Sequence, residues 1–94
     1  MNIKYRKKPV VIEAFQIPPV DPDAEHEVPV WLEEAIIDKR IVFSTLLGTV
    51  SIKTLEGFMN GVPGDWIIRG VQGELYPCKN DIFNATYEKV EEGK

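Results

Sequence analysis

The chain has 94 residues, a single cysteine and a formal charge of −4. That length holds one domain, 1–94, and one thiol rules out an internal disulfide. The acidic balance argues against general duplex nucleic-acid binding, which needs surplus cations to neutralise phosphates. Hydrophobic residues make up 44% and charged residues 28%, so the chain carries enough apolar side chains for a packed core and is not disordered throughout.

The N-terminal segment is basic, with Lys4, Arg6, Lys7 and Lys8 supplying four of the 11 Lys and Arg residues. The apolar stretch after it runs only from Pro9 to Ala14 and is broken by Glu13. That is too short for a signal h-region or a membrane span, so a soluble chain in a reducing cytoplasm is expected. Pro9 to Ile17 reads as a strand, nearly continuous in Val10, Val11, Ile12, Ala14 and Phe15. Pro18-Pro19 ends it, and Val20 to Glu27 reads as an acidic loop through Asp21, Asp23, Glu25 and Glu27.

Val28 to Asp38 predicts the one convincing helix. Val28, Trp31, Leu32, Ala35 and Ile36 form a single apolar stripe, Pro29 suits the first turn, and Lys39 and Arg40 complement the dipole at the end. Ile41 to Thr45 and Thr49 to Thr54 follow as strands, with Gly48 turning the chain between them. A short segment lies between Gly57 and Gly61. Pro63-Gly64-Asp65 is a turn, because Pro presets φ and Gly accepts a positive one. Trp66 to Arg69 and Glu74 to Pro77 then form a hairpin about Gly70-Val71-Gln72-Gly73. Lys79 to Phe83 reads as a helical turn and Ala85 to Val90 as a closing strand. The tail with Glu88, Glu91 and Glu92 is expected to fray. Short strands joined by glycine turns predict an α+β fold, a strongly curved antiparallel sheet or partly open barrel with one packed helix. Val11, Phe15, Trp31, Leu32, Ile36, Ile67 and Phe83 are the expected core.

The opening YRKKPVVIEAFQ, the helix segment WLEEAI, and TLEG followed by PGDWIIRGVQGELYPCKNDIFNATYE together resemble a family of small phage and prophage proteins. The resemblance covers nearly the whole chain. Gly64, Asp65, Trp66, Gly70, Gly73, Glu74, Tyr76, Cys78, Asp81, Phe83 and Tyr87 carry it. It implies a protein made in the cytoplasm of an infected or lysogenic bacterium. It brings no established reaction, and so no catalytic residue.

Candidate chemistry is sparse. Cys78 and His26 are the one thiol and the one imidazole, but no spacing places them together, and a free cysteine is more often a small buried hydrophobe. They cannot supply a structural zinc site, and the Asp21 to Glu27 alternation lacks the glycine and terminal glutamate of a calcium loop. No metal or cofactor is expected. Asp65 and Glu74 across the hairpin are a carboxylate pair, but Asp65 in a Pro-Gly-Asp turn more often bonds its own turn, and Glu74 opposite Arg69 reads as an ion pair. No phosphate-cradling glycine loop is present.

One constellation remains: Trp66, Arg69, Tyr76, Lys79, Phe83 and Tyr87 within 22 residues. Aromatic faces beside cations stack bases and neutralise phosphates. Alternation sets Trp66 and Ile68 on one face, Ile67 and Arg69 on the other, and aromatics in a small domain are mainly core. With the N-terminal cations, the candidate binding residues are Arg6, Lys7, Lys8, Trp66, Arg69, Tyr76 and Lys79. The expected function is a non-enzymatic phage or prophage binding module acting on a host target. It would bind a host protein or sequester a small anionic ligand such as a signalling nucleotide, the latter by analogy with other small phage proteins. A small hydrolase using Cys78 or Asp65/Glu74 and a phage structural or assembly protein are the alternatives. No membrane partner is expected, and a homo-oligomer stays open.

Overall fold

Among the described residues, six short β-rich runs form two separate antiparallel sheets of three strands each, and the first of these sheets takes its opening strand from far back in the chain. The computed structural model describes residues 3–21, 23 and 26–91, so Glu25 of the acidic loop and Glu92 of the tail lie outside the described residues. The elements in chain order are β1 (Glu13–Gln16), α1 (Val30–Ile37), β2 (Ile41–Phe43), β3 (Val50–Thr54), β4 (Gly57–Gly61), β5 (Trp66–Arg69), β6 (Leu75–Cys78) and α2 (Asn80–Thr86). The first sheet has the order β1-β5-β6 and the second β2-β3-β4.

The core lies between the sheets and α1. Ile67 and Leu75 enter it from the first sheet, Ile41, Val50 and Ile52 from the second, and Trp31, Leu32 and Ala35 from the helix, with Ile17 among them. Phe15, Val28 and Phe43 pack against this cluster. Alternation explains the selection: Ile41, Ile52 and Met59 stand in register on the inner face of the second sheet, while Val42, Ser51 and Asn60 are turned outward.

Gly61 is glycine for a steric reason. A Cβ there would stand 2.8 Å from Ile17 Cδ1 and 3.1 Å from Val50 Cγ2, closer than packed carbons tolerate. The 63–65 turn forms as its sequence predicts, with Gly64 at φ +96° and its N–H donating to Ile17 O at 2.9 Å, while Ile17 N donates to Asp65 O at 2.8 Å. These two bonds extend the β1–β5 ladder into the turn.

The α+β class and the succession of short strands match expectation, and four features differ. The strands form two sheets that no strand pairing joins among the described residues, so there is no barrel closure. Among the described residues there are two helices, because the segment after Lys79 continues to Thr86. The expected strand Ala85–Val90 is therefore absent. Phe83 and Tyr87 are four apart and lie side by side on a helical face, whereas strand alternation would also need a facing partner that this segment lacks. The N-terminal strand begins at Glu13, since the ladder with β5 spans only Glu13 to Gln16.

Three residues leave the expected core. Val11 is 71% and Ile36 38% exposed: Val11 precedes the ladder, and Ile36 sits in the last helical turn beyond the buried Trp31, Leu32 and Ala35. Phe83 is half-buried, on the far side of the first sheet. Pro29 stands at the N-cap, one position before the first helical residue, and its carbonyl accepts from Leu32 N and Glu33 N.

Candidate binding groove on the outer face of the first sheet

The site begins with the alternation of β5. Ile67 points into the core, so Trp66 and Ile68 point out. Register adds Gln16 and Cys78 beside Trp66, and Ala14 and Tyr76 beside Ile68. Helix α2 lies over this face. Phe83 stacks on Trp66 with centroids 4.0 Å apart and planes 8° from parallel. Tyr87, one turn on, is tilted against Phe83 at 5.0 Å.

Polar contacts hold the stack in place. Asn80 Oδ1 accepts from Trp66 Nε1 at 3.0 Å and from Gln16 Nε2 and Asn84 Nδ2 at 3.3 Å each. Lys7 Nζ donates to Tyr87 Oη at 3.0 Å and lies 4.5 Å from the centroid of that ring, a cation–π geometry. The N-terminal and C-terminal segments thus meet at this face. Between them runs a groove of about 390 Å³ lined by Val10, Val11, Ile12, Ala14, Trp66, Phe83 and Tyr87 and by Glu88, Lys89 and Val90. Burial, followed by the adjacent Tyr87 hydroxyl, pushes the Tyr76 pKa up to about 12.

Of the predicted site residues, the fold brings Lys7, Trp66 and Tyr76 to this face. Arg69 does not join them. It turns to the other face and pairs with Glu13, Nη1 to Oε1 at 2.7 Å, because Glu13 is its register neighbour on β1. Lys79 is held by Asp65 at 3.2 Å. Arg6 and Lys8 are exposed. The expected basic pocket uniting Arg69 with the N-terminal cations is therefore not assembled. The opposed faces of Trp66 and Phe83 also close one side of the indole to a stacked base.

The carboxylate pair separates as well. Asp65 precedes Trp66 at one end of the hairpin, is buried, and accepts from Val62 N at 3.1 Å as well as from Lys79. Glu74 lies at the other end, beside Gly70, and accepts from Gln72 N at 2.9 Å. Five residue steps along the strand, roughly 16 Å, separate them. Leu75, not Glu74, stands opposite Arg69.

Cys78 donates to Lys79 O at 3.6 Å. Burial and then the Asp65 charge push its thiol pKa up, against the opposing pull of Lys7, the reverse of what an activated nucleophile needs. His26 lines a different cavity, of about 540 Å³, with Ile17, Phe43, Ser44 and Gly48. Cys78 is not among its walls. Among the described residues no three His, Cys, Asp or Glu side chains gather as a metal-binding group, and no helix is long and apolar enough to cross a membrane.

Asn80, Val10 and the Lys7–Tyr87 contact are not singled out by sequence reasoning. The four-residue spacing of Phe83 and Tyr87 after Asn80-Asp81 is the signal that points to α2. Nothing local announces that residue 7 meets residue 87. No family model matches the chain, and neither a curated protein nor a solved structure matches it.

Proposed function

We propose that the chain is a non-enzymatic binding module that takes an apolar segment of a protein partner into the groove on the outer face of its first sheet. The observation that carries this reading is the predominantly apolar lining of the groove. The walls are mostly aliphatic and aromatic, while Arg69, Lys79 and Lys7 are engaged by Glu13, Asp65 and Tyr87. A phosphate-bearing ligand would meet one cation in the wall, Lys89, with the Glu88 carboxylate also in the wall, and would have to break those contacts to draw on Arg69, Lys79 or Lys7. An apolar segment covers Val10, Val11 and the Phe83–Tyr87 edge without breaking any. The resemblance to phage and prophage proteins makes a bacterial host protein the partner to seek.

The test is site-specific photocrosslinking in bacterial cells, with the photoreactive residue at Val11 in one variant and at Leu46 in another. The expected result is one discrete host-protein adduct at Val11 and none at Leu46. Val11→Asp should weaken binding of that protein at least tenfold, about 1.4 kcal/mol, with an unchanged melting midpoint. Crosslinks at Leu46 alone would move the site elsewhere. A nucleotide released from the denatured protein and quantified by mass spectrometry would restore the anionic-ligand reading.

A further inference from the structure

Strand β4 is one of the two edges of the second sheet and, among the described residues, pairs with β3 on one side only. The direction of its free backbone groups follows from β3. Lys53 N donates to Arg40 O at 2.8 Å and Thr49 O accepts from Ser44 N at 2.8 Å. Residues 49, 51 and 53 thus face β2, and Val50, Ile52 and Thr54 face β4. Their register partners Gly61, Met59 and Gly57 spend their N–H and C=O groups on β3. The N–H and C=O of Phe58 and Asn60 then point away from the sheet. Natural sheets protect such an edge with lysine, proline or a covering loop. This strand reads Gly57-Phe58-Met59-Asn60-Gly61, with no charge and no proline, and Phe58 is 70% exposed.

We infer that β4 pairs antiparallel with β4 of a second copy of this chain, joining two second sheets into one six-stranded sheet. The strand favours itself over an unrelated strand because it is self-complementary. A two-fold axis through Met59 sets Gly57 across from Gly61, Phe58 across from Asn60 and Met59 across from Met59. The outward groups of Phe58 and Asn60 then make four reciprocal hydrogen bonds, as an isologous interface requires. The two Phe58 rings lie diagonally on one face, within aromatic reach. No charge on the strand opposes the approach of two acidic molecules. Val62 N is committed to Asp65, which ends the ladder and keeps it at five residues. So short an interface makes a weak dimer, with a dissociation constant on the order of 10–100 μM. None of the groove's lining residues lies on β4, so the dimer carries two open grooves, and a bivalent target gains avidity from it.

Sedimentation equilibrium across this concentration range tests the inference. The wild-type chain should move from its 10.7 kDa mass toward twice that value. Phe58→Lys places like charges across the axis, and Asn60→Pro removes an outward N–H without touching the β3 ladder. Each should remain monomeric at least tenfold higher in concentration, with an unchanged circular dichroism spectrum. Register is read separately by Met59→Cys in a Cys78→Ser background. The two-fold pair at this position is non-hydrogen-bonded, with a Cα separation near 4.5 Å that a disulfide fits. Met59→Cys should oxidise to a covalent dimer, and Leu55→Cys, more exposed at 91%, should not. A wild-type chain monomeric at about 1 mM, or a dimer that persists in both edge variants, overturns the inference.

Discussion

Lys39 holds the least comfortable backbone among the described residues, a non-glycine at φ +63°. It does so because it closes α1. Its N–H donates to Ile36 O and that of Arg40 to Ala35 O, the double bond pattern that ends a helix with one left-handed residue. A side chain there costs about 1 kcal/mol relative to glycine. Lys39→Gly should therefore stabilise the chain by roughly 0.5–1 kcal/mol, read as a higher urea midpoint. Tyr76 makes a second residue-scale prediction. Its pKa is raised from 10.0 to about 12, so the native state holds the phenolic proton more tightly than the unfolded chain. The resulting stability is whole below pH 10 and is lost as the pH rises through about 12. Tyr76→Phe cannot titrate, so it should flatten the alkaline limb of the stability–pH curve between those values. An identical limb in the variant would mean that other groups set it.

At the scale of elements, α1 and β4 meet the core in different ways. Helix α1 enters it with Trp31, Leu32 and Ala35, all buried. Trp31→Ala should cost roughly 3–5 kcal/mol, enough to unfold much of a domain of this size at 37 °C. A cooperative melt at the wild-type midpoint would show that the helix face is not a core face. Strand β4 enters by the absence of a side chain. Gly61→Ala pushes a methyl group against Ile17 and Val50 and should cost roughly 1–3 kcal/mol. Gly61→Ala combined with Ile17→Val should recover part of that loss, because the valine lacks the Cδ1 atom that the new Cβ would strike.

For the whole molecule, stability should be graded from the paired interior to the two ends. Strands β3 and β5 are central in their sheets and have a partner on both sides. Residues 3–12 and 88–91 carry no helix or strand. Native-state hydrogen exchange should therefore find the slowest amides at Val50, Ile52, Ile67 and Ile68. Residues 3–12 should exchange orders of magnitude faster, with Phe58 and Asn60 fast in the monomer and slowed when dimers form. Slow exchange at residues 8–12 in the monomer would reveal pairing beyond Glu13 and extend the first strand.

Most of the elements were legible in the amino-acid order because their signals are local. The alternation of Thr49 to Thr54, the Pro63-Gly64-Asp65 turn and the Trp31, Leu32, Ala35 stripe each report a backbone preference or a periodicity within a few residues. The opposite facing of Trp66 and Arg69 followed from alternation as well. The site was less legible, because it is assembled from contacts between distant positions. Lys7 meets Tyr87 across 80 residues and Gln16 meets Asn80 across 64. Arg69 takes Glu13 in place of Glu74 because strand order, which no local pattern encodes, puts β1 beside β5. By itself the sequence determined composition, charge, the turns, most of the strands and the alternation of faces along them. Only the tertiary structure decided that the strands divide into two sheets, that α2 covers the outer face of the first, and that the chain's two ends border one groove, since those outcomes depend on which surfaces bury each other.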